Sequence, residues 1–261
     1  MTDLNSEFLQ FANFLADEAA IISRKYFRQP LIIDNKSNNT PVTLADCEIE
    51  LRLRQLIKEH YPAHGIIGEE FANQIAQAPY TWVLDPIDGT VAFSCGKPTF
   101  TTLIALLANN QPLLSVIDQS ISHERFSGVV NQHSTINGNK INTSTTAKLS
   151  DVRLNATTPY MFKTAAEWQS FERVKQQVKL ASFGGDAYSF ALLAAGHIDV
   201  IVEADLQYYD VAALVPVITA AGGIISDWQG RELTAEFNGQ CLACANVALQ
   251  QQVLEVLNGS K

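Results

Sequence analysis

Cysteine is scarce in this chain of 261 residues. Cys47, Cys95, Cys241 and Cys244 are too few and too scattered for a disulfide framework. Cys241-Leu242-Ala243-Cys244 has metal-like spacing, but a four-coordinate site needs more ligands than one pair supplies, and the run is apolar and strand-like. Buried, reduced thiols are expected there. No stretch reaches the roughly 18 uninterrupted apolar residues of a membrane span. The opening Met1-Thr2-Asp3-Leu4 lacks the basic and apolar regions of a secretory leader, so a cytoplasmic protein without a membrane partner is expected. Gly-Lys-Ser/Thr, Gly-x-Ser-x-Gly and paired zinc-type histidines are missing too, which excludes a P-loop, a nucleophile elbow and a histidine-based zinc site.

The most informative shortage is of positive charge. Eighteen Lys and Arg stand against 27 Asp and Glu, a net charge of -9, which argues against a nucleic-acid partner. Moreover, no Lys or Arg lies between Lys58 and Lys97, or between Lys179 and Arg231. Those two stretches hold the chain's conspicuous acidic clusters. Only bound cations can neutralise them.

The first cluster is Trp82-Val83-Leu84-Asp85-Pro86-Ile87-Asp88-Gly89-Thr90, preceded by Gly68-Glu69-Glu70. It reads as an apolar strand ending in two carboxylates, followed by bare backbone, an arrangement that holds a divalent metal beside a phosphate. Asp85 and Asp88 also suit a simple turn, but Pro86 fixes one backbone angle and restricts Asp85, which holds the acids in a set relation. The Ile87 carbonyl offers a further oxygen ligand. Glu69 follows the apolar Ile66-Ile67 and sits at a strand or turn end, as either a solvated acid or a ligand. Asp210 reads as the N-cap of a following helix, a role compatible with metal ligation. Gly89 and Thr90 offer amides to a phosphate, and Thr90 a hydroxyl that orients a water. Asp46 is either a helix-capping acid or the partner that activates that hydroxyl.

For the fold, apolar residues at steps of three and four from Leu4 to Tyr26 predict a long amphipathic helix. Thr43-Leu44-Ala45-Asp46 resembles a capping box opening a second helix that runs to about His60. Strands are expected over 82–84, 100–108 and 113–117, the last two turning at Asn109-Asn110, with another tight turn at Asn137-Gly138. Beyond residue 150 the pattern alternates: helix 162–178, strand 180–183, helix 186–195, strand 198–202, a helix from Asp210, and strand 223–227. Pro216 within that last helix is expected to kink it. The expected fold is α/β, with an α+β metal-binding half over 1–148 and an α/β substrate-binding half over 149–261.

The motifs Gly68-Glu69-Glu70, Asp85-Pro86-Ile87-Asp88-Gly89-Thr90 and Tyr209-Asp210-Val211-Ala212-Ala213, with Ala221-Gly222-Gly223, resemble the inositol monophosphatase family in order and spacing over nearly the whole chain. The resemblance implies a magnesium-dependent phosphomonoesterase with an αβαβα layered sandwich, commonly homodimeric, acting on a small phosphorylated metabolite. It implies that Glu69, Asp85, the Ile87 carbonyl, Asp88 and Asp210 bind two or three Mg²⁺ ions. Asp46, Thr90 and Glu69 would activate the attacking water, and Gly89, Thr90, Asp186, Glu203 and Asp210 would bind substrate. In-line attack without a phosphoenzyme is expected.

Within the family the chain is most similar to the histidinol-phosphatase branch. The similarity rests on Phe183-Gly184-Gly185-Asp186-Ala187-Tyr188, Gly196-His197-Ile198-Asp199 and Glu203-Ala204-Asp205, and on Tyr209 in place of the Trp usual in inositol phosphatases. Val91-Ala92 departs from the polar pair often found after Gly-Thr. Asp186 and Glu203 would give the leaving-group side negative character suited to histidinol, although Asp186 reads equally as a helix N-cap. The alternatives are an inositol 1-phosphate or 3'-phosphoadenosine 5'-phosphate phosphatase on the same scaffold, or a non-catalytic metal or phosphate sensor.

Overall fold

The computed structural model of the chain describes residues 2–29, 33–35 and 41–259. The N-terminal periodicity forms helix α1 (Thr2–Tyr26), followed by the antiparallel pair β1 (Ile33–Asn35) and β2 (Pro41–Thr43) and by α2 (Leu44–His60). The capping box expected to open α2 depends on the Thr43 side chain, which lies outside the described residues.

A seven-stranded sheet then forms in sequential order: β3 (Gly65–Gly68), β4 (Tyr80–Asp88), β5 (Thr101–Ala108), β6 (Gln111–Gln119), β7 (Glu124–Val129), β8 (Ser134–Ile136) and β9 (Asn139–Ile141). Only β3 and β4 pair in parallel. Helix α3 (Thr90–Ser94) is a single short helix after β4. The β5–β6 turn places Asn109 and Asn110 at φ 51° and 63°, the left-handed pair that a two-residue hairpin requires. Strand β7, with its polar Glu124-Arg125-Phe126-Ser127-Gly128, carries little apolar signal and is absent from the sequence expectation.

The second sheet has the order β11-β10-β12-β14-β13. Its members are β10 (Arg153–Ala156), β11 (Leu180–Phe183), β12 (Val200–Glu203), β13 (Ile224–Ser226) and β14 (Cys241–Cys244). The helices among them are α4 (Ala165–Lys175), α5 (Asp186–Ala194), α6 (Tyr208–Ala212), α7 (Leu214–Ala220) and α8 (Val247–Leu257). Helix α4 is shorter than the expected 162–178. Thr164 caps it in a reciprocal box with Glu167, which fixes its start after an irregular turn through Pro159. The Cys241–Cys244 run is a buried strand, and both thiols are free.

Three apolar layers bind these elements. On one face of the large sheet, Phe8, Leu15, Ile49 and Leu53 pack against Trp82, Leu84 and Ile104. Between the sheets, Phe190, Leu193, Leu214 and Val217 join Val83, Leu103 and Ile117 to Ile201 and Ala243. Outside the small sheet, Phe171 and Leu249 meet Leu154 and Val202. The order is therefore α, β, α, β, α. Strand β5 is buried on both faces, with Leu103 and Ala105 on one and Ile104 and Leu106 on the other, which explains its unbroken apolar run.

Pro216 interrupts the expected helix: α6 ends at Ala212 and α7 begins at Leu214, and the single residue between them, Ala213, keeps a helical backbone, so the ladder breaks at the turn where Pro216 has no N–H to give. The backbone of α7 at Pro216 and Val217 lies so close to Gly128 of β7 that a Cβ there would sit 2.5 Å away.

Candidate metal and phosphate site

Strand β4 does not stop before its acids; it carries both. In a regular strand, residues three apart point to opposite faces. Here Asp85 pairs with Leu103 but Asp88 with Thr101, so one extra residue is accommodated between them as a bulge at Pro86-Ile87. Pro86 has no N–H to lose from the ladder, and its carbonyl accepts from the Thr102 hydroxyl at 2.8 Å. The bulge lets Ile87 share the α1–α2 core with Leu84 while both acids turn toward the layer between the sheets.

There they meet Asp210. One carboxylate oxygen each from Asp85, Asp88 and Asp210 lie within 4.8 Å of one another. Asp210 is not the N-cap of its helix: Gln207 takes that position, and Asp210 closes a capping box from the third helical residue, accepting the Gln207 N–H at 2.6 Å. Asp88 accepts the Ala187 N–H at 2.6 Å, so the start of α5 anchors it. Asp85 is 1% exposed, and its Oδ1 is buried with no hydrogen-bond partner.

Electrostatics mark the cluster as incomplete. Burial, then the charges of Glu69, Asp88, Asp210 and Asp46, push Asp85 well above the usual carboxylate range. Burial, then Asp186 and Asp210, do the same to Asp88. Asp210 is raised to about 7 by burial, against the pull of the Gln207 N–H and a hydrogen bond with the Asp85 carboxyl. Crowded oxygen donors, one of them orphaned, fit a hard divalent cation.

The remaining expected residues surround this centre. Glu69 follows β3 and is the largest charge acting on Asp85, while Asp46 lies buried on α2. The Thr90 hydroxyl donates to the Ile87 carbonyl at 3.1 Å, occupying one of that oxygen's two lone pairs. Gly89 has φ 83° and closely faces Asp186: a Cβ on it would lie 2.8 Å from Asp186 Oδ2. Asp186 is not an N-cap either. Gly185 precedes α5 in that role, and Asp186 takes the first helical position at φ 46°, an uncommon conformation for a residue with a side chain.

Asp88, Asp186, Glu203 and Asp210 line one cavity of about 120 Å³, together with Thr157, Met161, Phe190 and Leu206. Glu203 is 2% exposed and accepts the Thr157 N–H at 2.8 Å; burial pushes it up to about 8. Asp186 is pushed up to about 6 by burial, with Lys97 pulling it down. A larger groove of about 580 Å³ between α1 and the β6–β7 region has its acids opposed by a cation, Arg125 pairing with both Asp17 and Asp118. It lacks the convergent acids. Thr157, Met161 and Lys97 escaped the sequence reading because nothing local marks them.

A family model described as the inositol monophosphatase family matches residues 4–261. The chain belongs to the inositol monophosphatase family. Members are phosphatases and are generally metal-dependent, so the chain is a phosphatase acting on small phosphorylated substrates. It is 42% identical to the chloroplastic bifunctional phosphatase IMPL2 of Arabidopsis thaliana, over 96% of this chain and 75% of that protein. It is 30% identical to a histidinol-phosphatase of Chlorobaculum parvum, over 97% and 98%. The fold superimposes on an inositol monophosphatase from Zymomonas mobilis with a TM-score of 0.88 and 38% identity, covering 97% and 98%. Among the described residues, no helix is long and apolar enough to cross a membrane.

Proposed function

We propose that this inositol monophosphatase family member hydrolyses histidinol phosphate to histidinol and phosphate with Mg²⁺. The observation that carries the reading is the pair Asp186 and Glu203, which puts two carboxyl groups beside the metal-type cluster in one small cavity. Histidinol carries an ammonium and a protonatable imidazole, and either would favour the ionised form of groups that burial otherwise holds near 6 and 8. Relatives named histidinol-phosphatase at 30% identity support the same substrate.

In this reading Glu69, Asp85, Asp88, Asp210 and the Ile87 carbonyl hold two or three ions. When bound, the ions supply positive charge at the phosphate and acidify a water. The protein's own groups do the rest. Thr90 Oγ1, which spends its proton on Ile87, keeps lone pairs with which to accept from the attacking water, and Asp46 and Glu69 add negative charge around that water. The Gly89 and Thr90 amides orient the phosphate, and Asp186 and Glu203 seat the leaving group.

A second reading, inositol 1-phosphate, is favoured by Glu203 itself. A carboxyl with its pKa near 8 is mostly protonated at neutral pH and can donate to a polyol hydroxyl. Phosphate release from a panel of histidinol phosphate, inositol 1-phosphate, 3'-phosphoadenosine 5'-phosphate and fructose 1,6-bisphosphate decides. The highest kcat/KM should belong to histidinol phosphate; a preference for inositol 1-phosphate overturns the substrate assignment.

We also propose a homodimer in a reducing cytoplasm. All four residues of β11 are exposed at the edge of the small sheet, with Leu180 and Phe183 apolar and the highly exposed Tyr160 as a further apolar residue of this half of the chain, a surface suited to a second copy. Among the described residues no disulfide joins any of the four cysteines.

A further inference from the structure

The turn after β3 carries Glu69, and it is held from behind by a buried ion pair on α2. Glu50 is fully buried and accepts the Glu70 N–H at 2.7 Å on Oε2 and the Phe71 N–H at 3.3 Å on Oε1. Arg54, one helical turn later, donates Nε to Glu50 Oε1 at 2.7 Å. Its two remaining nitrogens donate to the carbonyls of Ala72 at 3.1 Å and Phe71 at 2.9 Å. Gly68 is required by this closeness, since a Cβ there would collide with the Glu50 carboxylate.

We propose that the Glu50–Arg54 pair is a positioning device that fixes the 68–72 turn so that Glu69 completes the divalent-cation site; the proposal rests on the metal reading given above. The geometry is economical. Asp46, Glu50 and Arg54 recur every four residues and so share one stripe of α2. The first acts on Asp85 through its charge, and the other two grip the turn. A buried carboxylate needs compensation, and Glu50 obtains it from the guanidinium and from the two amides that follow Glu69. The pair therefore secures the backbone on the C-terminal side of a ligand whose side chain would otherwise sit on a short, half-exposed turn. Groups that orient a ligand from behind it contribute about 10- to 100-fold to metal affinity.

The test measures Mn²⁺ binding to the metal-free full-length protein by electron paramagnetic resonance, alongside hydrogen exchange at the Glu70 and Phe71 amides. Arg54→Gln should raise the Mn²⁺ Kd about tenfold or more and accelerate both amides. Its kcat at saturating Mg²⁺ should stay within about threefold of wild type. Glu50→Gln should act in the same direction. Because Glu50 is buried, that variant also perturbs folding, so the decisive comparison is between Arg54→Gln and Arg52→Gln. Arg52 also makes an ion pair from α2, with Glu18 at 2.7 Å, and among the described residues its hydrogen bonds go to Glu18 and not to the turn, so its loss should leave the Mn²⁺ Kd unchanged. An Arg54→Gln Kd equal to wild type, or an equal rise in Arg52→Gln, overturns the positioning role while leaving the metal site standing. A wild-type protein that binds no divalent cation removes the metal reading, and the positioning role with it.

Discussion

Asp88→Asn should push the metal-free and metal-bound protein in opposite directions. The substitution removes one negative charge and almost no volume, and Asn can still accept the Ala187 N–H that anchors α5. The ligand oxygens of Asp85, Asp88 and Asp210 lie within 4.8 Å of one another. At that separation and an effective dielectric of 20, one pair of unit charges repels by about 3 kcal/mol. Proton uptake already relieves part of this, because burial and the neighbouring acids hold Asp88 well above its ordinary range. The net gain for the metal-free variant should thus be about 1–2 kcal/mol, a rise in Tm of roughly 2–8 °C for a chain of this size. With metal the sign reverses. A hundredfold loss of affinity removes about 2.7 kcal/mol of ligand-linked stability at saturating cation, and turnover should fall by orders of magnitude. Differential scanning fluorimetry at pH 8, after chelation and again with Mg²⁺, reads both effects, and phosphate release reads the third. A metal-free variant several degrees less stable than wild type, or one whose Mg²⁺-induced shift is undiminished, would refute the reasoning.

Three further outcomes are expected. Asp210 and Glu203 have folded-state values raised to about 7 and about 8, so their contribution to stability is fully present below about pH 4 and is lost as pH rises through 7 and 8. The Tm of metal-free protein should therefore fall between pH 5.5 and 8.5 and Mg²⁺ should restore much of it; a Tm that climbs over that range without metal contradicts the assignment. Asp186→Asn should reduce kcat/KM on histidinol phosphate by about 10- to 100-fold and spare inositol 1-phosphate, since a charge-assisted contact contributes about 1.5–3 kcal/mol. Equal loss on both substrates would make Asp186 structural. Phe183→Lys on the exposed β11 edge should convert a dimer to a monomer by light scattering, and a wild-type protein that is monomeric at micromolar concentration would remove the proposed interface.

Much of the molecule was legible because its signals are local. The spacing from Leu4 to Tyr26 specified α1, the paired asparagines specified the β5–β6 turn, and the acids flanking Pro86, followed by Gly89, marked the place where a metal and a phosphate would meet. Propensity, periodicity and turn chemistry act among neighbours within a few residues, and a sequence displays them directly. What lay beyond reach depended on partners distant along the chain. Strand β7 has little pattern of its own and is a strand because β6 and β8 flank it and α7 lies against Gly128. Pro216 signalled a disturbed helix, yet only the structure places the break at Ala213. Asp210 read as an N-cap, yet Gln207 holds that position, and packing of the layer between the sheets delivers the Asp210 carboxylate to Asp85. Composition and order determined that the acids were there and that little positive charge accompanied them. Tertiary structure alone decided that a bulge in β4 turns Asp85 and Asp88 to one face and that Asp210 meets them, because both follow from close packing between sheets rather than from any local preference.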